Sequence, residues 1–411
     1  MTDLRKDADL IIEAAIREAL PDNAVRRQLE EIVFPEGKLV LIAAGKAAWQ
    51  MAGAAYKALS SRISDGVVIT KYGHSRGEIG NLKIFEAAHP VSDENTFRAT
   101  EAALKCVEGL SEKDSVLFLL SGGGSALFEK PLTDIEEIKS VNRQLLASGA
   151  SIVEMNTVRK RLSSVKGGKF ALSCAPAHVY SIVLSDIIGD PLDMIASGPA
   201  YPDSSTCEQA LEVVSRYGLT LSDESLFLLN QETPKVLENV TTYVTGSVRQ
   251  LCKTAMRTAS AAGYEPVFLS SCIETEARDA GSFLSSIARD HQDTEKSLAF
   301  IAGGETVVHL KGNGLGGRNQ ELALSAATGL SRCKNTCIFS VGSDGTDGPT
   351  DAAGGYCDEN TVKTLADKGI VIEDVLNNND AYHALKECDG LIFTGPTGTN
   401  VNDLTVLLIK R

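Results

Sequence analysis

Short apolar segments recur along the chain and alternate with segments of helical periodicity. The apolar segments are rich in Val, Ile, Leu and Phe and cover residues 39–44, 66–70, 115–120, 179–185, 298–302, 336–342 and 391–394. The helical patterns cover residues 47–59, 96–110, 208–217 and 321–330. Several apolar segments are unbroken, as in strands whose two faces are both buried in a parallel sheet. The pattern therefore predicts an α/β fold whose parallel sheet is covered by helices.

The first twenty residues predict an amphipathic helix. Its apolar side chains fall on one face, and they are Ile11, Ile12, Ala15, Ile16, Ala19 and Leu20. Because charges are scattered through this segment, we expect no signal peptide, and no later apolar run reaches the ~20 residues of a membrane span. Further on, Pro234 and a polar run at 231–246 precede a new helical pattern that starts at Ser247. We place a domain boundary there.

Glycine-rich loops follow most of the predicted strands. Their positions are Gly45-Lys46, Ser121 to Ser125 (SGGGS), 303–305 (GGE), 343–351 (SDGTDGPTD) and 395–403 (GPTGTNVND). Carboxyl ends of parallel strands share one sheet edge, and glycine allows backbone N–H groups to approach a phosphate closely. Five such loops at one edge would form a polyphosphate-sized site. The alternative interpretation is that each loop is only a tight turn.

Size and charge limit the class of partner. The 411 residues suggest two or three domains at about 150 residues each. With 40 Lys+Arg against 54 Asp+Glu, the formal net charge is -14, which argues against binding to nucleic acid or to an anionic membrane. The nine cysteines contain no C-x-x-C pair and are expected to be buried, reduced thiols of a cytoplasmic protein.

Three familiar motifs are absent or incomplete. A Walker A sequence does not occur. Residues 312–317 match G-x-G-x-x-G, but no acidic residue follows Glu321 before Asp344, so the ribose-binding carboxylate expected about 20 residues on is missing. Residues 73–77 match the hydrolase motif G-x-S-x-G, yet a β-like run at 82–86 follows where a helix is required. A dinucleotide enzyme and a serine hydrolase are therefore both disfavoured.

Aspartates and basic residues stand beside the glycine-rich loops. Candidate Mg²⁺ ligands follow two strands, since Mg²⁺ prefers one or two carboxylates together with phosphate oxygens; they are Asp186, Asp190 and Asp193, then Asp344, Asp347 and Asp351. The alternative role for each is helix capping or turn formation. Lys46 follows a strand at a helix start, and Arg318 lies on a glycine-flanked loop where it can clamp an anion.

A run of basic residues at 159–161 reads most simply as a solvated helix face. Lys166 lies close behind it, next to Gly167-Gly168, and an anion-binding role for Lys166 stays open.

Taken in order, these motifs resemble the class II glycerate kinases, the glycerate 2-kinase family whose C-terminal part is called the MOFRL domain. The segments that carry the resemblance are 45–48 (GKAA), 88–94 (AHPVSDE), 120–127 (LSGGGSAL), 156–169 (NTVRKRLSSVKGGK), 184–199 (LSDIIGDPLDMIASGP), 303–306 (GGET), 314–321 (GLGGRNQE), 343–355 (SDGTDGPTDAAGG) and 395–403. Departures are small: Ser343 replaces the usual Thr, Lys169 a common Arg, and Ala381 a common Ser.

The resemblance implies two unlike α/β domains with the active site in the cleft between them. Residues 1–240 would form a larger, Rossmann-like three-layer domain with a mostly parallel sheet, and residues 241–411 a smaller mixed-sheet MOFRL domain. The implied reaction is ATP-dependent phosphorylation of D-glycerate to 2-phosphoglycerate with Mg²⁺. A homodimer is compatible with the sequence.

The resemblance also suggests roles for individual residues. Lys46 and Arg318 are the implied catalytic cations, with Asp190 as a proton acceptor. Phosphate or substrate would be bound by Ser121, Gly122, Gly123, Gly124, Ser125, Lys166 and Asn319, and Mg²⁺ by Asp186, Asp190, Asp344 and Asp347. A nicotinamide-dependent hydroxypyruvate reductase and a non-catalytic metabolite binder remain as alternatives.

Overall fold

Two six-stranded sheets organise the chain, and each belongs to a separate unit of a computed structural model that describes residues 3–185, 189 and 192–411. The parallel-sheet unit comprises residues 21–185 and 192–245. The mixed-sheet unit comprises residues 3–20 and 246–411. The expected combination of one parallel and one mixed α/β sheet is confirmed.

The parallel sheet has the strand order β3-β2-β1-β4-β5-β6, and all its neighbours are parallel. Its strands are β1 Leu39–Ala44, β2 Ile63–Lys71, β3 Lys83–Ala87, β4 Ser115–Leu120, β5 His178–Leu184 and β6 Val240–Thr245. The helices of this unit are α2 Pro21–Leu29, α3 Ala48–Leu59, α4 Glu94–Val107, α5 Gly124–Leu127, α6 Ile135–Ala147, α7 Ile152–Leu162, α8 Lys169–Cys174, α9 Cys207–Tyr217 and α10 Asp223–Leu229. Every residue of β1 and β4 is buried, as their unbroken apolar sequences predict.

The mixed sheet has the strand order β11-β10-β9-β12-β8-β7. Its strands are β7 Glu265–Ile273, β8 Leu298–Gly304, β9 Thr336–Gly342, β10 Gly354–Asp358, β11 Leu391–Ile392 and β12 Asp403–Ile409. Its helices are α1 Asp3–Ala19, α11 Val248–Ala261, α12 Ala277–Asp290, α13 Arg318–Leu330, α14 Thr361–Asp367, α15 Ile372–Asn377 and α16 Ala381–Glu387.

Strand direction in the mixed sheet corrects the inference from apolar runs. The unbroken runs at 298–302 and 336–342 were expected to belong to a parallel sheet, but β8 and β9 both pair antiparallel with β12, which lies between them. A central strand is buried on both faces whichever way its neighbours run, so an unbroken apolar sequence reports burial and not direction. Because β8 and β9 share one direction, their carboxyl ends still lie at the same sheet edge.

The first helix packs in the mixed-sheet unit, which differs from the predicted division at residues 240 and 241. The apolar face of α1 is buried, with Ile11 and Ala15 fully inaccessible, and α1 packs against α11. Asp7 on the same helix accepts hydrogen bonds from the Tyr264 hydroxyl at 2.6 Å and from Lys410 Nζ at 2.7 Å. An amphipathic pattern specifies that a face is buried, but it does not specify which sheet covers that face.

All nine cysteines are free thiols, as expected. Six of them are buried, Cys106 and Cys388 are half-buried, and Cys272 is exposed, so the expectation of burial is wrong for Cys272. Among the helices of residues 3–185 and 192–411, none combines the length and the apolar character that crossing a membrane requires.

The basic run at 159–161 is not a solvated face, which corrects the simplest interpretation of the sequence. Lys160 and Arg161 are 2% and 1% exposed, and both lie beside the buried Asp203. Lys160 Nζ is 3.1 Å from Asp203 Oδ1, and Arg161 also donates to the hydroxyl and carbonyl of Ser205. These cations neutralise a buried carboxylate, so their role is structural.

Three aromatic rings pack together in the parallel-sheet core. Phe118 on β4, Phe128 after α5 and Phe170 on α8 are all fully buried, with ring centroids 4.7 to 5.5 Å apart. Offset and edge-to-face pairs at this distance add to the free energy gained from burial. The cluster joins α8 to the end of α5 and to β4, the two elements that flank the glycine-rich loop 121–125.

We expect Phe170→Ala to lower the free energy of unfolding by about 3–5 kcal/mol, because the change leaves a cavity among rigid neighbours. Leu172→Ala on the same short helix is the matched control: Leu172 is 57% exposed, so the expected change is within about 0.5 kcal/mol. Urea unfolding followed by circular dichroism measures both. Equal effects of the two substitutions would contradict the assignment of the core.

Candidate active site

Loops at the carboxyl edge of the parallel sheet hold one another in place. Lys46 N donates to Gly122 O at 2.9 Å, and Ala47 N donates to the buried Ser121 hydroxyl at 3.1 Å. Gly45 has a φ of +127°, and a Cβ atom there would overlap Ser121. Glycine is therefore required for β1 to turn towards α3 beside the loop 121–125.

The loop 121–125 presents backbone donors that have no acceptor in the described part of the chain. Gly123 adopts a left-handed conformation with φ of +82° just before α5. No acceptor in residues 3–185 and 192–411 takes the N–H groups of Gly122, Gly123 or Ser125, whereas Gly124 N donates to Ser121 O at 3.2 Å. Successive free amides around a left-handed residue form a concave anion-binding surface. The loop therefore has the chemistry that a phosphate or a carboxylate needs.

Basic side chains surround this loop. Lys46 is exposed, and its carbonyl lies 3.1 Å from His74 Nδ1. His89 lies against Gly123, where an added Cβ would be 3.0 Å from the imidazole. Burial lowers the pKa of His89, and the positive charges of Lys46, Lys71 and His74 lower it further. Sequence reasoning did not select Lys71, His74 or His89, although His89 belongs to the motif at 88–94.

Lys166 is surrounded by the protein's own acceptors. Its ammonium lies 2.6 Å from Glu129 Oε2 and donates to the carbonyls of Ser125 at 2.7 Å and Phe128 at 3.3 Å. Burial lowers the pKa of Lys166, while Glu129 opposes that shift. These contacts fix the main chain that follows the anion-binding amides. A direct contact between Lys166 and phosphate stays a prediction.

Three more glycine-rich loops meet at one edge of the mixed sheet. β8 and β9 end there and β12 begins there, with Asp403 paired to both Gly304 and Gly342. Ser343 N donates to Asn402 O at 3.1 Å, which joins the loops 343–351 and 395–403. The five predicted loops thus form two groups, one at the edge of each sheet.

Arg318 begins α13 and is held by two carboxylates. Its Nε and one terminal nitrogen donate to the two oxygens of Asp403 at 2.6 and 3.1 Å, and its other terminal nitrogen lies 3.2 Å from Glu305 Oε1. Burial alone would lower the pKa of Arg318, but Asp403 and Glu305 raise it above its ordinary value. The guanidinium is therefore a permanently charged group with a fixed orientation. It faces a cavity of about 820 Å³ whose lining includes Glu305 and Val307.

Asp347 caps α13 from a distant loop. Its Oδ1 accepts from Asn319 N at 3.1 Å and Asn319 Nδ2 at 3.2 Å, and its Oδ2 accepts from Gln320 N at 2.9 Å. Burial raises the pKa of Asp347 to about 6, although these amides lower it. The capping interpretation explains these three hydrogen bonds of the Asp347 carboxylate. Asn319 is likewise buried, and its amide oxygen accepts from the Ser340 hydroxyl at 2.6 Å.

Few side chains in the described part of the chain are available as ligands for Mg²⁺. Within it, no cluster of three or more His, Cys, Asp or Glu side chains could hold a metal. Asp344 is half-buried on the loop after β9 and uses Oδ1 to accept from Thr346 N at 3.0 Å, which leaves Oδ2 for a cation. Asp186 and Asp190 lie outside the described residues. One or two carboxylates suffice when phosphate oxygens complete the shell.

The segment 312–317, which matches G-x-G-x-x-G, is a structural loop. Asn379 Oδ1 accepts from Lys311 N and Gly312 N at 2.7 and 3.0 Å, and Gly314 N donates to Asn378 O at 2.9 Å. Added Cβ atoms at Gly312 and Gly314 would overlap the main chain of Asn378. The glycines therefore permit close packing, and the amides of Gly312, Asn313, Gly314 and Leu315 are already bonded within the protein.

Two family models match successive parts of the chain, and the first of them includes most of α1. A domain of unknown function, DUF4147, matches residues 7–229, and the MOFRL family matches residues 298–403. The chain is 51% identical over 412 residues to the D-glycerate 2-kinase of Thermotoga maritima, covering 99% of this chain and 98% of that protein. The chain belongs to the class II glycerate kinase family.

Other members of the family extend the comparison. A glycerate 2-kinase of Pyrococcus horikoshii is 39% identical and covers 99% of the chain and 98% of its own length. An Agrobacterium vitis protein with the provisional name hydroxypyruvate reductase is 38% identical and covers 97% of the chain and 93% of its own length. The crystal structure of the T. maritima glycerate kinase matches with a TM-score of 0.93, covering 99% of each chain.

We expect Asp403→Asn to lower turnover in the family's reaction by about 10- to 100-fold, because the guanidinium of Arg318 loses a charged, bidentate partner that orients it. Asp367→Asn, at an exposed position of α14, is the control and should leave turnover unchanged. Initial-rate kinetics compare both variants with the parent. Full activity of Asp403→Asn would show that Arg318 does not need this partner.

Proposed function

We propose that this protein transfers the γ-phosphoryl group of ATP to the 2-hydroxyl of D-glycerate. The observation that carries the proposal is the end-to-end similarity to the D-glycerate 2-kinase of T. maritima, which spans both units. The anion-binding groups described above supply the chemistry that this reaction needs. Phosphoryl transfer depends mainly on positioning and on neutralising charge around the transferred group.

In the parallel-sheet unit, the loop 121–125 would hold phosphate oxygens. The free amides of Gly122, Gly123 and Ser125 are fixed before the ligand arrives, so binding costs little reorganisation. Lys46 is tied through its backbone to the same loop, and its exposed ammonium is the proposed partner of the transferring phosphate. Ser125 is ordered by a 2.9 Å contact between its hydroxyl and that of Ser197.

In the mixed-sheet unit, Arg318 would bind the glycerate carboxylate or the transferring phosphate. Asp403 fixes the guanidinium from the buried side, with 6% of its side chain exposed. Glu305 contacts the other end of the guanidinium and has 48% of its side chain exposed. Exposed ion pairs are weak, so an anionic substrate can replace Glu305 without breaking the buried pair.

Mg²⁺ would neutralise phosphate charge when bound. Asp344 is the proposed ligand within the described residues, and Asp186 and Asp190 remain proposed ligands or proton acceptors. Asp347 contributes by keeping the first turn of α13, and with it Arg318, in place. The location of the site in a cleft between the domains stays a prediction from the family resemblance.

We expect the purified protein to convert D-glycerate, ATP and Mg²⁺ into 2-phosphoglycerate, because the family relationship and the anion-binding loops both favour phosphoryl transfer. Phosphorus NMR separates 2- from 3-phosphoglycerate. Oxidation of NADH by hydroxypyruvate, with no phosphorylated product, would show that the protein is a reductase and would contradict the proposed kinase activity. If neither reaction is observed, the remaining alternative is a metabolite-binding protein without catalytic activity.

We expect Lys46→Ala to lower kcat by about 100- to 1,000-fold, the usual cost of removing one group that stabilises transition-state charge. The free energy of unfolding should change by less than about 0.5 kcal/mol, since the side chain is exposed. Lys57→Ala, exposed in the last turn of α3, the helix that follows Lys46, is the matched control with full activity. Near-normal turnover of Lys46→Ala would exclude Lys46 from the mechanism.

A further inference from the structure

A second cavity, of about 410 Å³, lies in the parallel-sheet unit, and the mechanism above uses only the part of its lining that belongs to the loop 121–125. Its volume is within the range of about 300 to 1,000 Å³ that is typical of small-molecule sites. Most of its wall is apolar, and the apolar side chains include Val91, Ile135, Ile138, Leu146, Ile152 and Met155. Val91, Leu146 and Ile152 are more than half exposed, at 62%, 63% and 56%. Apolar side chains around an open, concave surface favour a flat, hydrophobic ligand.

Polar groups without protein partners lie among these apolar walls. Glu129 lines the cavity and is 8% exposed; its Oε2 pairs with Lys166, while its buried Oε1 has no partner among the described residues. Arg159 lines it too and donates from Nε to Asn142 Oδ1 at 2.6 Å. Within residues 3–185 and 192–411, neither terminal nitrogen of Arg159 has an acceptor, and no ion pair joins Arg159 to Glu129. A buried carboxylate oxygen without a donor costs free energy that a ligand's N–H group would recover.

The cavity is continuous with the anion-binding loop. Gly123 and Ser125, whose amides are free, line it together with His89. A ligand that occupies the apolar part can therefore place an anionic group on the loop 121–125. A nucleotide has this combination of a flat ring system and phosphates. Glycerate does not, because its carboxylate and two hydroxyls would leave the apolar walls without a partner.

We propose that this cavity binds the adenine base of ATP, with Glu129 Oε1 accepting from the 6-amino group and Arg159 donating to a neighbouring ring nitrogen. The inference rests on the proposed function and adds the base-recognition site and its specificity. Adenine presents an N–H donor beside a nitrogen acceptor, whereas guanine and hypoxanthine present an oxygen at position 6. That oxygen would face the carboxylate of Glu129, so GTP and ITP are disfavoured.

The first test fills the cavity. We expect Ile152→Trp and Met155→Trp each to raise the KM for ATP about tenfold or more, with kcat and the KM for D-glycerate within about twofold, since only nucleotide binding is obstructed. Val153→Trp is the matched control, because Val153 is the next residue on α7, is 57% exposed and does not line the cavity. An unchanged KM for ATP in both cavity variants would overturn the proposal.

The second test changes the ligand and leaves the protein intact. We expect ITP and GTP to bind at least about tenfold more weakly than ATP in isothermal titration calorimetry of the full chain, because a buried hydrogen-bonding site rejects a ligand that cannot pair with it. Equal affinities would overturn the role of Glu129. Calorimetry reports binding even if glycerate is not phosphorylated, so failure of the kinase and failure of the base site are distinguishable.

Photolabelling locates the base directly. Under ultraviolet light, 8-azido-ATP should form adducts on peptides that contain residues 135–159, as read by mass spectrometry, and excess ATP should suppress them. Adducts confined to residues 246–411 would place the base elsewhere and contradict the proposal.

Discussion

Main chains that follow the strands approach one another so closely that side chains cannot fit between them, and the candidate site depends on this constraint. A Cβ atom at Gly45 would overlap Ser121, and one at Gly345 would overlap the carbonyl of Gly395. Where the loops bond to each other, as around Asn379, their amides are consumed. The loop 121–125 is held instead through the Gly122 carbonyl and the Ser121 hydroxyl, so its amides at Gly122, Gly123 and Ser125, which have no acceptor among the described residues, remain available to an anion. The glycines therefore serve either close packing or anion binding, and the hydrogen-bond partners of their amides show which of the two applies.

Hydrogen-bond and ion-pair partners also distinguish structural basic side chains from those that can bind a ligand. The protein's own carboxylates and carbonyls neutralise Lys160, Arg161 and Lys166, which are buried. Lys46 is exposed beside unused amides, and Arg318 is fixed on one side and accessible on the other. The acidic surface of the chain as a whole, with a net charge of -14, thus coexists with local sites for anions.

Much of the fold could be predicted from local sequence. The apolar runs at 39–44, 115–120 and 336–342 coincide with β1, β4 and β9, because a fully buried strand needs an unbroken apolar sequence. The direction of β12 and the unit that covers α1 could not be predicted, since both depend on contacts between residues far apart in the chain.

Prediction of the candidate site from the local sequence was limited in the same way. Lys46 and the loop 121–125 were recognisable from their position after strands, and Arg318 from its place on a glycine-flanked loop that enters a helix. The pair between Arg318 and Asp403 spans 85 residues, and the cap that Asp347 supplies to α13 spans 28, so no local pattern signals either one. The helix was accordingly predicted to start at 321, whereas it begins at Arg318.

The packing of α1 with α11 has a consequence for synthesis on the ribosome. The helix α1 is made first, but α11 begins 229 residues after α1 ends. At about 5–20 residues per second, its apolar face waits roughly 10 to 50 s for its partner. During that interval the parallel-sheet strands emerge and can fold, so the nascent chain carries an uncovered apolar helix ahead of a finished unit. Transiently exposed apolar surface makes a folding chain prone to aggregation, so α1 is the segment of this fold that stays vulnerable until α11 has been made.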